Sequence, residues 1–173
     1  MNLRPLFLIN VVGLLAAGWL LELPQLNAQE TAPPVTIFVV RHAERESGAT
    51  DSPLSAQGWD RARKLADILK SSEITRGFTS EFQRTQQTLA PLAERLGLVP
   101  TTITAGNTDS LLAELRRLPP GSRAIVASHS NLVHRIVGAL AGSTLKQLSD
   151  SDYDRLYIIT LTPLGASVAL LHF

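Results

Sequence analysis

The chain has 173 residues, 45% hydrophobic and 18% charged, with a formal net charge of +1. That length suits one domain with a full core, and a balanced charge without any Lys/Arg block excludes nucleic acid and an acidic membrane surface as expected partners. Cysteine is absent, which excludes disulfides, thiolate-bound zinc, a thiol nucleophile and a lipidated cysteine.

In chain order, the first segment is "MNLRPLFLINVVGLLAAGWLLELPQLNAQE". It carries one early charge, Arg4, then seventeen apolar or neutral residues from Pro5 to Leu21, then a polar stretch ending in "LNAQE". A basic start, an apolar middle and a small residue at the cut is the order of a secretory signal. Ala28 is the expected last residue removed, although the position two before it is Leu26. The alternative is an uncleaved anchor, since seventeen residues reach the lower limit of a membrane span. Residues 1–28 are therefore read as signal peptide or anchor and 29–34 as a linker. A domain is expected over 35–173, exported to the periplasm or medium, with any membrane attachment made only through the N-terminal segment.

"VTIFVV" (Val35–Val40) is apolar on both faces and β-branched, as a covered central strand is. Gln57–Lys70 places Ala62, Leu65, Ala66 and Leu69 at helical spacing, with charges elsewhere. "GFTS" (Gly77–Ser80) reads as a short strand. The following "SEFQ" fits a capping box, with Ser80 as N-cap and Gln83 at the third helical position. Leu89, Leu92, Ala93 and Leu96 give that helix its stripe, and Pro91 is expected to kink it. "LVPTTIT" reads as a strand and Asp109–Leu118 as a helix. "SRAIVASH" (Ser122–His129) is a second buried strand, and Asn131–Ala141 a helix with Leu132, Val133, Ile136, Val137 and Leu140 inward. "DRLYIITLT" and "ASVALLHF" close the chain as two strands turned by "PLG". The alternation predicts an α/β fold: a three-layer α/β/α sandwich with a mostly parallel central sheet.

In such sheets ligands bind beyond the carboxyl ends of the strands. Three polar clusters fall there: Arg41-His42, Ser80 to Arg84, and Ser128-His129-Ser130-Asn131. Arginine offers planar, bidentate donors matched to phosphate. Helices starting near Ser80 and Asn131 add backbone N–H groups suited to an anion. A neutral imidazole is a competent nucleophile that titrates near neutrality. Two histidines and two arginines on one rim thus suit attack on a phosphoryl group, with the arginines neutralising the developing charge and no metal or other cofactor required. A metal reading of His42 and His129 lacks a third ligand and any local HxH or HxxxH spacing. His134 is read as a polar-face residue, Asp51 and Ser55 as loop and cap residues, Trp59 as packing and His172 as structural.

"RHAE" after a buried strand resembles the RHG motif of the histidine phosphatase superfamily, which includes the phosphoglycerate mutases. "DSPLSAQGWDRARKLA", "TSEFQRTQQTLAPLA" and "VASHSNLV" resemble, in the same order, its loop-to-helix, second-arginine and second-histidine segments, over Val35 to about Leu140. Ala43 stands where the family often has glycine. The resemblance implies a phosphoglycerate mutase-like fold and a phosphatase acting through phosphohistidine. His42 would be the nucleophile, Arg41 and Arg84 phosphate-binding groups, and His129 a hydrogen-bonding partner of the phosphoryl group. Asp109 would be the general acid, with Glu44 or no acid as alternatives. Ser130-Asn131 after His129 points to the small bacterial branch that includes phosphohistidine phosphatases. The expected partner is a small phosphorylated substrate. A catalytically inactive phospho-ligand binder, or a phosphomutase, remains the alternative.

Overall fold

The computed structural model describes residues 32–173. The readings of residues 1–28 and of most of the linker fall outside them. Six strands and four helices alternate: β1 (Val35–Arg41), α1 (Ala56–Leu69), β2 (Arg76–Thr79), α2 (Gln83–Leu96), β3 (Thr101–Thr102), α3 (Thr108–Arg116), β4 (Arg123–Ser128), α4 (Ser130–Ala141), β5 (Arg155–Thr162) and β6 (Gly165–His172). One sheet runs in the order β3-β2-β4-β1-β5-β6.

The three-layer arrangement follows from the alternation along β1. Ile37 and Val39 pack into a core with Leu111, Leu112 and Leu115 of α3 and Val133, Ile136 and Val137 of α4. Phe38 and Val40 face the other way, against Leu65, Ala66 and Leu69 of α1 and Leu89 and Leu92 of α2. A strand with buried residues on both faces must be covered on both, which is why it reads as a continuous apolar run.

The sheet is mixed rather than uniformly parallel. β3, β2, β4 and β1 are parallel neighbours, while β5 pairs antiparallel with both β1 and β6. The short turn at Pro163-Leu164, closed by the Thr162–Gly165 pair, accounts for the β5–β6 pairing, because so tight a turn joins only antiparallel strands. "LVPTTIT" yields only the two residues of β3. Pro100, which has no N–H to donate, packs against Gly77 and ends the ladder from below.

The expected capping box does not form. α2 begins at Gln83 with Phe82 as an N-cap that makes no side-chain bond. Asp51, from the loop before α1, accepts the Gln83 backbone N–H at Oδ1 (2.8 Å). Ser80 is thereby released for another role. Ser55 does cap α1, accepting the Gly58 N–H. Gly58 itself is required by contact, since a Cβ there would collide with the Glu44 carbonyl oxygen. Trp59 packs on Ala43, Leu54 and Ala62, and His172 pairs with Asp154.

Candidate active site

Strand register brings the two histidines together. β1 and β4 are adjacent and parallel, and Arg41 lies opposite Ser128. The next residue in each strand is a histidine, and the His42 N–H extends the ladder by bonding the Ser128 carbonyl (2.8 Å). Their ring centroids are 5.5 Å apart. The helices that follow these strands leave to opposite faces, α1 to one core and α4 to the other, so a crevice opens between them at the strand ends. This crevice is a cavity of about 590 Å³, and its walls include Arg41, His42, Arg84, Asp109 and His129. All five residues read from the sequence as site candidates thus line one cavity.

Several of these side chains are held by neighbours far away in sequence. Arg41 is buried; its Nη1 donates to the carbonyls of Ser149 (2.9 Å) and Asp150 (3.0 Å), and its Nη2 to the Tyr153 hydroxyl (3.1 Å). Its guanidinium also stacks on the Tyr153 ring, 3.9 Å from the centroid. Arg84 lies over Phe82 at 4.2 Å and donates to the Thr50 carbonyl (3.0 Å). Ala43 is held by Thr88 of α2, whose Oγ1 accepts its N–H (2.9 Å). A small residue suits that position, which is 1% exposed.

Hydrogen bonding fixes the tautomers. A carbonyl oxygen only accepts, so His42 Nδ1, 2.8 Å from the Ala43 carbonyl, carries the proton. His42 Nε2 is then left with the free lone pair. Arginine only donates, so His129 Nδ1, 3.5 Å from Arg84 Nη2, is the acceptor nitrogen. His129 Nε2–H then donates to Ser80 Oγ (3.0 Å), and Ser80 in turn meets Thr85 Oγ1 at 2.9 Å. Ser80, Thr85 and His129 are all buried. The hydroxyl freed from capping duty therefore orients the second histidine.

Burial pushes His42 down to about 3, reinforced by the charges of Arg41, His129 and Arg84 and opposed by the Ala43 hydrogen bond. Burial, then Arg84, pushes His129 down to about 4. Both rings are neutral at physiological pH. The unfolded chain, with ordinary values near 6.5, takes up these protons first on acidification. Stability is therefore lost as pH falls from 6.5 towards 4, with a limiting slope of about 1.4 kcal/mol per pH unit for each histidine. Carboxylates such as Asp67 and Asp152, depressed below 3.8, act only at lower pH. Urea unfolding at pH 7 and pH 5 is expected to show a clear drop in midpoint that shrinks in His42→Ala. A midpoint unchanged between these pH values would mean the rings are not buried as neutral groups.

Asp109 stands in the first turn of α3, at the cavity wall. Glu44, the alternative acid, does not line the cavity. Its carboxylate is held by Arg61 through contacts of 2.7–2.9 Å. The N-terminus of α4 opens on the cavity at Ser130 and Asn131, as expected, but the Gln83 N–H of α2 is already taken by Asp51. Among the described residues no group of three or more His, Asp or Glu is placed to hold a metal ion. Sequence reasoning missed Tyr153, the carbonyls of residues 149 and 150, Phe82, Arg45 and Arg135. The first three act on Arg41 or Arg84, and the two arginines line the cavity. Arg45 stands three residues beyond His42 and was visible as a charge without an assigned role. The Arg41 contacts come from more than a hundred residues away and left no local signal.

The fold and the cavity define an α/β domain with paired neutral histidines set among arginines at a strand-end crevice. Residues 37–109 match the family model of the histidine phosphatase superfamily (branch 1). The matched segment contains Arg41, His42, Arg84 and Asp109; His129 lies beyond it. A Yersinia enterocolitica protein named "Probable phosphoglycerate mutase GpmB" is 38% identical over 73 residues, covering 38% of this chain and 34% of the relative. The match spans about a third of the length of the first such relatives. The structure of the protein histidine phosphatase SixA complexed with tungstate superposes with a TM-score of 0.62 at 24% identity, covering 79% of this chain and 96% of that one. A mycobacterial glucosyl-3-phosphoglycerate phosphatase gives 0.61 at 16% identity, with 80% and 97% covered. These two likenesses establish the phosphoglycerate mutase-like fold.

Proposed function

We propose that the chain is a metal-independent phosphatase that hydrolyses a small phosphomonoester or phosphoramidate through a phosphohistidine on His42. The observation that carries this reading is the tautomer of His42: Nδ1–H is tied to the Ala43 carbonyl, so Nε2 holds an available lone pair, in a cavity shared with Arg41, Arg84 and His129. In the first step Nε2 forms a bond to phosphorus as the bond to the leaving group breaks. For a phosphomonoester, Asp109 acts as general acid and gives a proton to the leaving oxygen. The phosphorylated ring keeps its Nδ1 proton and its positive charge faces the Ala43 carbonyl. In the second step water attacks phosphorus, Asp109 takes a water proton and His42 is regenerated. Arg41 and Arg84 hold the phosphoryl oxygens, where preorganised charge acts most strongly. His129, oriented by Ser80, completes the cavity wall beside them. The tungstate in the SixA structure, an oxyanion of similar shape to phosphate, supports an oxyanion site in this fold.

The curated relatives carry a mutase name, and a mutase would share the first step. A panel of phosphorylated compounds, assayed in excess chelator, separates the readings. Release of inorganic phosphate, undiminished by the chelator, is the expected result. Isomerised product without phosphate release would mean a mutase, binding without either would mean an inactive binder, and loss restored only by a divalent ion would mean metal catalysis.

The N-terminal pattern supports export of this activity, as a processed or anchored domain. N-terminal sequencing of the protein from its host is expected to begin near Gln29 if the segment is cleaved. A full-length cytosolic product would refute export.

A further inference from the structure

β6 is the edge strand of the sheet, eight residues long, and only Val168 among them is even partly buried. Its outer side leaves backbone N–H and C=O groups without a strand partner among the described residues. Edge strands are normally protected by shortness, charge, proline or a bulge. The opposite edge, β3, is two residues long. β6 has none of these protections: Gly165–Leu171 carries no charge and no proline, and pairing with β5 runs without a break from Gly165 to His172. Leu170 and Leu171 are 41% and 48% exposed, on opposite faces, and Leu164 at the adjoining turn is 79% exposed.

We propose that β6 pairs antiparallel with β6 of a second copy of this chain, joining the two sheets across a two-fold axis. The unpaired backbone groups call for a strand as occupant. The side chains then specify which strand. They run from small to large, Gly165, Ala166 and Ser167 to Leu170 and Leu171. A strand with the reverse gradient complements them, and the same strand turned end for end provides it. A two-fold axis normal to the sheet keeps each face continuous, so opposed residues must share a face, which puts residues of the same parity opposite one another. With the axis at Val168, Ala166 lies opposite Leu170 of the partner subunit and Gly165 opposite Leu171 of the partner subunit. Val168 meets its own copy. No like charges oppose each other, and β6 contributes no residue to the cavity, so both cavities remain open.

The absence of cysteine makes the test clean. In the full-length chain in mild detergent, Val168→Cys is expected to oxidise to a species of twice 18.7 kDa, at least ~10-fold faster than Val99→Cys because a held pair has an effective concentration near mM. Val99 is the control, being 93% exposed elsewhere. Ala166→Cys and Leu170→Cys are each expected to fail alone, and their double variant to cross-link between chains. Within one strand those residues lie about 13 Å apart, beyond disulfide reach. Sedimentation of the wild type is expected to give a dimer, and Leu170→Lys a monomer of unchanged circular dichroism. A monomeric wild type at tens of micromolar by sedimentation, equal cross-linking at Val99, or cross-linking of Val168→Cys to a different protein would overturn the proposal.

Discussion

His42→Ala is expected to lower turnover by roughly 10⁴–10⁶-fold, the scale on which removing a covalent nucleophile acts, while leaving the fold intact. The size follows from the role: the proposed reaction has no route to phosphorus without Nε2. The preserved fold follows from position. His42 sits one residue beyond β1, its backbone held by Ser128, and neither core cluster includes its ring. Removing a ring that must stay neutral while buried also relieves part of the acid sensitivity. Binding of an oxyanion such as tungstate is expected to persist, because Arg41, Arg84 and His129 remain. Turnover close to wild type would return His42 to the status of a strand-end residue, and loss of both binding and fold would make it structural.

Arg84→Ala is the second large effect. kcat/KM is expected to fall by roughly 10²–10³-fold, the cost of removing one preorganised donor from a site where charge develops. Both binding and turnover are expected to carry the loss, since in the proposed reaction the guanidinium meets the phosphoryl group before and during transfer. Arg84→Lys is expected to recover only part of it, because an ammonium neither forks onto two oxygens nor stacks on Phe82 in the same way. A second signature separates this from a structural defect. Arg84 is, after burial, the main cause of the depressed His129 value. Its removal raises that value, so any loss of activity caused by protonating His129 is expected to set in at higher pH. A fall in activity with an unmoved pH profile would argue that Arg84 does not face His129 in solution.

Much of this arrangement is legible because each helix and covered strand declares itself by period. Ala62, Leu65, Ala66 and Leu69 bury as the spacing of α1 requires, and Ile37 to Val40 bury on both faces of β1. The convergence of His42 and His129 was open to inference because both follow buried strands, and parallel neighbours in register end at one rim. What failed to show were features set by long-range contact. Ser80 has the local signature of a cap, but Asp51 takes that position from thirty-two residues away, and the serine turns to His129. The strand expected around Thr101 lost most of its length because it is an edge with Pro100 at its entry. Tyr153 and the carbonyls around residue 150 hold Arg41 from a loop without periodicity. Glu44 was a plausible acid by adjacency to His42, yet its side chain is directed to Arg61, which only the docking of α1 determines.

The proposed intermediate is covalent, so the bond itself can be looked for. Protein mixed with a phosphorylated substrate and quenched within milliseconds is expected to carry a phosphoryl group that is labile in acid and stable in base, located on His42 by mass spectrometry of the peptide containing "VVRHAER". The label is expected to disappear in His42→Ala and to form and decay at rates compatible with turnover. Phosphate release with no such label on the wild type, or a label on another residue that turns over at the catalytic rate, would contradict the account.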